Sequence, residues 1–416
     1  MKILYIHQYF ITPRVAGGTR SYELSRHLIK KGHEVTMITS GISNTEHPVE
    51  ANNDFTRYKT DGLKVLSVRA GYNDARKGTG MPGWRRILAF MHFARVAKKV
   101  SKTLPCPDVV FATHTPLTVG LSGIALKKHF DIPFVFEVRD LWPEALVNID
   151  ALKNPFAIAY LRSMARKIYH DADAIIAASP GMKEGVLKYG IPSEKVTVIT
   201  QGCDLELFKP SRKGAGIREK LGLGDRFSAI YFGAMGYANG LEYAVEAARL
   251  LKQRGRKDIV IVLHGDGGNK KELKNKTDAL GLDNVVFSDP VPAKEDLAQI
   301  IAACDVCMTI YRASKEHTWS PNKMFDALSA GKPVLINVPG WLGSLIEDNF
   351  CGFETDPLDP RTLADRLEQL ADDRDLVEEF SRNSRKLAEA RFSRSVLGDR
   401  LESVLSNVVD RVHVHR

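Results

Sequence analysis

Short apolar runs alternate with amphipathic stretches along the whole chain, and the length of each run separates strand from helix. ILYIHQYF (residues 3–10) is a buried-strand run, whereas residues 19–31 place Tyr22, Leu24 and Leu28 at helical spacing and end at Gly32 before EVTMIT. KVLSV, DVVFAT, PFVFEV and AIIAAS follow as further short runs with helix-like stretches between them. Short strands alternating with helices predict a parallel, doubly wound sheet. The pattern starts again near residue 227: SAIYFGAM, a helix over about 241–254, DIVIVLHG, a helix over about 270–280, VVFSD, VCMTIY, the helix after Pro321, and PVLIN. Between the copies, residues 197–223 are rich in Gly, Pro and charge and read as a hinge. From about Arg361 the charged C-terminal portion reads as helical throughout.

A chain of 416 residues is too long for one ordinary core, which agrees with two copies of the pattern. The expected architecture is α/β: two doubly wound, Rossmann-like domains at residues 1–205 and 206–394 that face one another across a cleft. A last helix over about 395–416 is expected to pack back on the first domain. Ligands of such sheets bind at the carboxyl ends of the strands.

No apolar run approaches the roughly 20 residues that span a bilayer, and MKILYIHQYF lacks the cleavage site of a signal peptide. The five cysteines are odd in number and scattered, the expectation for a reduced cytoplasmic protein. Cys304 and Cys307 form a CxxC, but at a helix end running into a strand and with no second ligand pair, so they read as core. The net charge of +9 is uneven: between Asp74 and Asp108 stand Arg76, Lys77, Arg85, Arg86, Arg95, Lys98, Lys99 and Lys102, without one acid. On a helical wheel the basic side also carries Trp84 and Leu88. Two readings stay open, an anionic membrane surface or a lysine-rich solvated helix. Nucleic acid is disfavoured because no recognition motif accompanies the charge.

Candidate chemistry falls on the loops after strands. Gly17 and Gly18 precede the first helix, where they either let a phosphate approach the backbone or make a tight turn. His114 in ATHTPL stands directly after a strand, as a functional side chain or as a cap of local backbone. In PFVFEVRDLWPE, Arg139 suits a phosphate or carboxylate, and Asp140 or Glu137 suits sugar hydroxyls; a structural Arg–Asp network is the alternative. GAMGYANG (residues 233–240) is a glycine-rich loop opening a helix, and HGDGGN (residues 264–269) reads as a rim around a base, with Asp266 its one acid. A cage of carboxylates for a divalent ion, a nucleophile elbow, a Walker loop and zinc spacings are not found. The most informative stretch is HTWSPNKMFDALSAGKPVL, residues 317–335. A Ser-Pro turn there opens a helix with Lys323 in its first turn and Asp326 one turn on, a positive dipole end with a lysine for an anion and a carboxylate for sugar hydroxyls.

Taken in order, the Gly-Gly loop, TQGCDLELFKP, HGDGGNKKEL and SPNKMFDALSAGKPVL resemble the retaining GT-B glycosyltransferases of family 4 over essentially the whole chain. HTPL, VRDLWPE and SPNK are similar to the branch that transfers fucosamine- or fucose-type sugars in bacterial capsule, O-antigen and colanic acid assembly. The resemblance implies a nucleotide-sugar donor, most simply UDP-linked, as co-substrate, with no metal and no other cofactor. It implies a deoxy or N-acetylated hexose moved to a polyprenyl-diphosphate-linked saccharide, by a cytoplasmic protein associated peripherally with the inner face of the plasma membrane through about residues 76–102. Catalytic roles are implied for Arg139, Asp140, His114 and Lys323. Donor-binding roles are implied for Gly17, Gly18, Gly233, Asn239, Gly265, Asp266, Gly267, Val291, Glu316, Ser320, Pro321, Asn322, Lys323 and Asp326. Asp326 takes the place of the second Glu of the family's E-x7-E motif; the first falls at Thr318, so the motif is broken and Glu316 is expected to supply the acid. The family's Arg and Lys of the glycine-rich loop fall at Met235 or Gly236 and at Asn239. A sugar-nucleotide epimerase and a non-catalytic partner subunit are the competing functions on this fold.

Overall fold

The computed structural model describes residues 1–13, 18–41, 48–69, 83–148, 151–210, 215–313 and 318–414. The chain divides into two compact units, one of Met1–Thr200, Thr318–Ser320 and Arg394–Arg416 and the other of Gln201–His317 and Pro321–Ser393.

The first unit is built on a nine-stranded sheet: β1 (Lys2–Ile6), β2 (Glu34–Thr39), β3 (Pro48–Ala51), β4 (Phe55–Thr60), β5 (Leu63–Val68), β6 (Val109–Thr113), β7 (Phe134–Val138), β8 (Ala174–Ala177) and β9 (Val196–Val198). Its order is β3-β4-β5-β2-β1-β6-β7-β8-β9. The seven strands from β5 to β9 in that order run parallel, and every residue of β6 and of β7 is buried, as expected of strands covered on both faces. Tyr5 and Phe111 stack across β1 and β6 with ring centres 4.4 Å apart.

One edge departs from the doubly wound pattern. β4 and β5 form an antiparallel hairpin, and β3 pairs antiparallel to β4. Asp61 and Gly62 make its turn with φ of 48° and 83°, the backbone that an Asp-Gly pair supplies. FTRYKT has no uninterrupted apolar run, so the hydrophobic pattern passes over it. The last helix, Arg394–Val414, packs on Arg20–Lys30 within this unit: Asp399 pairs with His27 at 2.9 Å and Lys31 at 2.8 Å, and Glu402 with His33 at 2.8 Å. Gly398 makes that approach possible, since a Cβ on it would lie 2.3 Å from the His27 ring.

The second unit holds a six-stranded, all-parallel sheet: β10 (Phe227–Ala234), β11 (Ile259–Asp266), β12 (Val285–Ser288), β13 (Val306–Thr309), β14 (Val334–Ile336) and β15 (Gly352–Glu354), in the order β12-β11-β10-β13-β14-β15. Helices bury both faces in two apolar clusters. Asp359 and Asp373 cap the helices Pro360–Asp372 and Arg374–Leu387 through their side chains, which fixes where each begins. Cys304 and Cys307 are buried free thiols at the start of β13, and burial pushes the Cys304 thiol up to about 12 and that of Cys307 higher still. They are core side chains.

Candidate active site

Each unit gathers polar side chains at the carboxyl ends of its central strands. In the first, β1, β6 and β7 are neighbours and end on His7, His114 and Arg139-Asp140. Glu137, inside β7, is fully buried; Arg20 Nε donates to it at 2.9 Å and the Thr113 hydroxyl at 2.8 Å. Burial by itself would raise the Glu137 carboxyl, but the charges of Arg20 and Arg139 and these hydrogen bonds outweigh it and hold it below the usual range. Glu137 is thereby committed to the interior, which removes it from the sugar-binding role that its position in the sequence allows.

Above this pair lie the buried imidazoles of His7 and His114. Among the described residues neither ring nitrogen of His114, nor Nδ1 of His7, nor the amide of Gln8 has a protein partner. Burial, with the Arg139 charge adding to it, pushes His114 down to about 3 and His7 well below its ordinary value. Both rings are therefore neutral near pH 7, each with one N–H and one acceptor nitrogen. The His114 ring meets Trp142 edge-on at 5.3 Å, and Trp142 hydrogen-bonds the carboxylate of half-buried Asp140. Burial raises Asp140, opposed by that bond. Gly18 is exposed just ahead of the helix Arg20–Lys30. Gly17, Glu316, Arg76 and Lys77, and the side chain of Trp84, lie outside the described residues.

In the second unit the loops after β10 and β11 lean on one another. Gly265 and Gly267 have φ of 143° and 156°, and a Cβ on them would fall 1.9 Å from the Gly233 carbonyl oxygen and 2.6 Å from the Met235 backbone. Gly265 thus serves the close pairing of the ends of β10 and β11, Gly267 the approach of the following turn to Met235, and the exposed Asp266 stands between them. Lys270 is tied inward, donating to the Gly265 carbonyl at 2.7 Å and to Asp289 at 2.6 Å. Val291 is half-buried against the second unit's core.

The helix Asn322–Ser329 starts after Pro321, which offers no side-chain cap, and buries Met324, Phe325, Ala327 and Leu328. That packing aims Lys323 along the end of β10, with its Nζ donating to the Tyr231 hydroxyl at 2.7 Å. A Cβ on Gly233 would lie 3.7 Å from the Lys323 Nζ. The ammonium position is 3.9 Å from the Tyr231 ring centre and 5.0 Å from that of Tyr311. Burial pulls Lys323 down to about 7. Ring faces favour the cation by about 0.5–2 kcal/mol, roughly one unit in the opposite sense, and so do not restore an ordinary lysine. Asn239 joins this group, hydrogen-bonding the Tyr231 hydroxyl while its Oδ1 accepts from Gly236 N–H at 3.2 Å. Ser320 and Asp326 are half-buried and Asn322 is exposed.

Three residues here escape the sequence pattern. Tyr231 and Tyr311 read as strand interior, yet their rings border Lys323. Arg312 stacks its guanidinium 3.8 Å over Tyr237 and donates Nε–H to the Tyr237 carbonyl at 3.0 Å, a cation against the glycine-rich loop. The one signal for it was the polar residue directly after VCMTIY. Among the described residues a single carboxylate–imidazole cluster has the spacing of a metal site, His27 with Asp399 and Glu402, but the Lys31 ammonium already lies 2.8 Å from Asp399.

The Glycosyltransferase Family 4 description matches residues 17–207, and the Glycosyl transferases group 1 description matches residues 215–387. A D-inositol 3-phosphate glycosyltransferase of Thermobispora bispora is 26% identical over 96% of this chain and 91% of its own. The alpha-D-kanosaminyltransferase of Streptomyces kanamyceticus is 28% identical, over 47% of this chain and 49% of its own. Among solved structures, Anabaena Alr3699/HepE in complex with UDP superposes with a TM-score of 0.70 at 19% identity, over 98% of this chain and all 100% of that one. Sucrose-phosphate synthase from Thermosynechococcus elongatus superposes with a TM-score of 0.74 at 17% identity, over 99% of both chains. With two Rossmann-like sheets and one of these descriptions on each, the chain belongs to the family 4 glycosyltransferases of the GT-B fold and is a hexosyltransferase-type enzyme.

Proposed function

We propose that the chain transfers a sugar, a deoxy or N-acetylated hexose, from a UDP-linked donor to a polyprenyl-diphosphate-linked saccharide, with retention and without a metal, in bacterial surface polysaccharide assembly. The observation that carries the donor half is Lys323, a half-buried amine beside the uncapped start of the helix Asn322–Ser329. Cleaving an anomeric C–O bond builds negative charge on the departing diphosphate, and an amine with helix N–H groups stabilises that charge more than the ground state. Arg312 adds a cation at the glycine-rich loop, where the family's usual Arg and Lys are missing. His114, neutral and unpartnered among the described residues, suits a hydroxyl of the sugar or acceptor, and Asp140 beside Trp142 a second one. Retention follows a front-face route in which the leaving phosphate oxygen takes the acceptor proton. The UDP complex of the structural neighbour supports uracil as the base. Incubation with UDP-, GDP- and dTDP-sugars and a lipid-linked acceptor tests the reading: nucleotide release is expected with one of them, and release with none overturns it.

The membrane side rests on the first unit. The helix Gly83–Ser101 precedes β6 and Pro155–Asp171 precedes β8, so both begin at the carboxyl-end side of the sheet. There Ile87 and Leu88 (59% exposed each), Phe156 (84%) and Tyr160 (60%) stand among the exposed Arg85, Arg86, Arg162 and Arg166. Apolar tips in a basic field suit an anionic headgroup layer. Lys99 and Arg162 contribute less, being paired with Asp54 at 2.9 Å and with Glu144 at 3.1 Å. Among the described residues no helix is long and apolar enough to cross a membrane. Binding to anionic vesicles is expected to weaken with salt and to fall about 30-fold when Arg85 and Arg86 are replaced by Gln, at about 1 kcal/mol for each cation. Equal sedimentation with neutral and anionic vesicles would contradict it.

A further inference from the structure

A lysine that meets an anion at a surface carries its charge beforehand, because water solvates the ammonium. Lys323 stands in a different setting. Its amine donates to the Tyr231 hydroxyl at 2.7 Å, between the faces of Tyr231 and Tyr311. Neither ring is free to follow it. The Tyr231 hydroxyl donates to the Ala234 carbonyl at 2.6 Å, and the Tyr311 backbone is clamped by Asn337 at 2.8 and 2.9 Å. The slot is therefore a fixed, largely aromatic socket in which the Tyr231 phenol oxygen accepts from the half-buried Lys323 amine.

We propose that this socket makes Lys323 a proton-coupled anion receptor: when a phosphate or diphosphate oxygen docks against the amine, a proton from solvent is taken up onto it, with Tyr231 and Tyr311 as positioning residues. The inference rests on the donor reading above and specifies how its anion is received. In the step, the amine lone pair forms one N–H bond, the proton comes from a buffer acid, and the buffer base is left in solution; no bond of the nucleotide changes. The amine's setting near 7 from burial agrees with this geometry, and an incoming anion favours the charged form.

Other titratable groups around the helix do not supply the effect. Tyr311 is pushed up to about 12 and Tyr231 beyond that by burial. On β13, Cys307 is raised by burial and stays a thiol. Arg385 of the helix Arg374–Leu387 binds the Ser329 carbonyl at the far end and pairs with Glu389 at 2.6 Å. On the helix itself Asp326 stands half-buried one turn on from Lys323.

Calorimetry with whichever of UDP, GDP and dTDP binds, in two buffers of different ionisation enthalpy, reads the proton directly. Uptake is expected to rise from less than half a proton per nucleotide at about pH 7 to near one at about pH 9, with affinity falling about tenfold per pH unit above the amine's midpoint. The nucleotide's own terminal phosphate is fully ionised at pH 8 and adds nothing there. Lys323→Met abolishes the uptake, and Tyr311→Leu, which opens the socket to water, moves its midpoint upward; a merely structural role would lower affinity equally at every pH. Inorganic pyrophosphate in place of the nucleotide is expected to show the same uptake. Nucleotide binding with identical heats in both buffers overturns this inference alone. Failure of all three nucleotides and of pyrophosphate to bind overturns it together with the donor reading. The wild-type measurement needs no variant to fold.

Discussion

Replacing Lys323 with methionine is expected to lower turnover of the nucleotide-sugar by about 10²–10³-fold, the usual cost of removing one preorganised donor from a developing anion. Methionine keeps the length and apolar stem that lie over Gly233 and between the two tyrosine rings, so the packing of the helix Asn322–Ser329 survives. What disappears is the cation. Because that cation meets more charge in the transition state than in the bound donor, kcat falls further than KM rises. Arginine is not an adequate substitute, since a planar fork does not fit a socket only 3.9 Å from one ring centre and 5.0 Å from the other. The pH profile separates this from a folding defect. Lys323 must be charged to act, so wild-type kcat/KM falls as pH rises past the amine's setting near 7, and the methionine variant loses that limb. Steady-state nucleotide release across pH 6–9, with melting temperatures of both proteins, checks it. A flat wild-type profile, or a variant within tenfold of wild type, removes Lys323 from the mechanism.

Much of this site was legible in the chain, because its parts are local. The Ser-Pro turn ahead of an amphipathic run fixes where the helix Asn322–Ser329 starts, and spacing alone puts Lys323 in its first turn. The loops after SAIYF and DIVIVL stand where parallel strands display their chemistry, and the loops after β10 and β11 are in that place. The socket was not legible. Tyr231 lies in β10 and Tyr311 two residues past the end of β13, far apart in the chain, and an aromatic near a strand end looks the same whether it fills a core or faces a lysine. The glycines of HGDGGN illustrate a related ambiguity: a positive φ serves close approach, but the group approached at Gly265 is the Gly233 carbonyl of the neighbouring strand β10. Charge is ambiguous in the same way. In VFEVRD three ionisable residues fall within four positions, yet Glu137 lies inside β7, whose residues are all buried, while Arg139 and Asp140 stand half-buried beyond its end.

That buried glutamate carries the largest effect expected on stability. Replacing Arg20 with methionine is expected to cost about 3–5 kcal/mol, because it leaves the Glu137 carboxylate in the sheet interior with its main countercharge gone. Arg20 also donates to the carbonyls of Ile199 and Thr200 just past β9, so the change removes the donor that ties this end of the chain to β7. Glu137→Gln preserves shape and the Thr113 bond but leaves Arg20 and Arg139, which repel one another, without the anion between them. Replacing both partners with apolar residues, Arg20→Met with Glu137→Leu, recovers much of the loss, since the desolvation penalty disappears with the charges. Acid gives an independent reading. Glu137 is held below its unfolded value, so the pair's contribution is complete above an unfolded pKa of about 4.3 and is lost as pH falls through the lower folded value. Wild type is thus expected to lose stability below the unfolded carboxylate value more steeply than Glu137→Gln, which has no proton to take up there. Urea unfolding of the four proteins at pH 7 and pH 4 measures both effects. If the Arg20 variant unfolds at the wild-type midpoint, the pair is not holding β7 and the end of β9 together, and the platform beneath His114 and Arg139 depends on apolar packing alone.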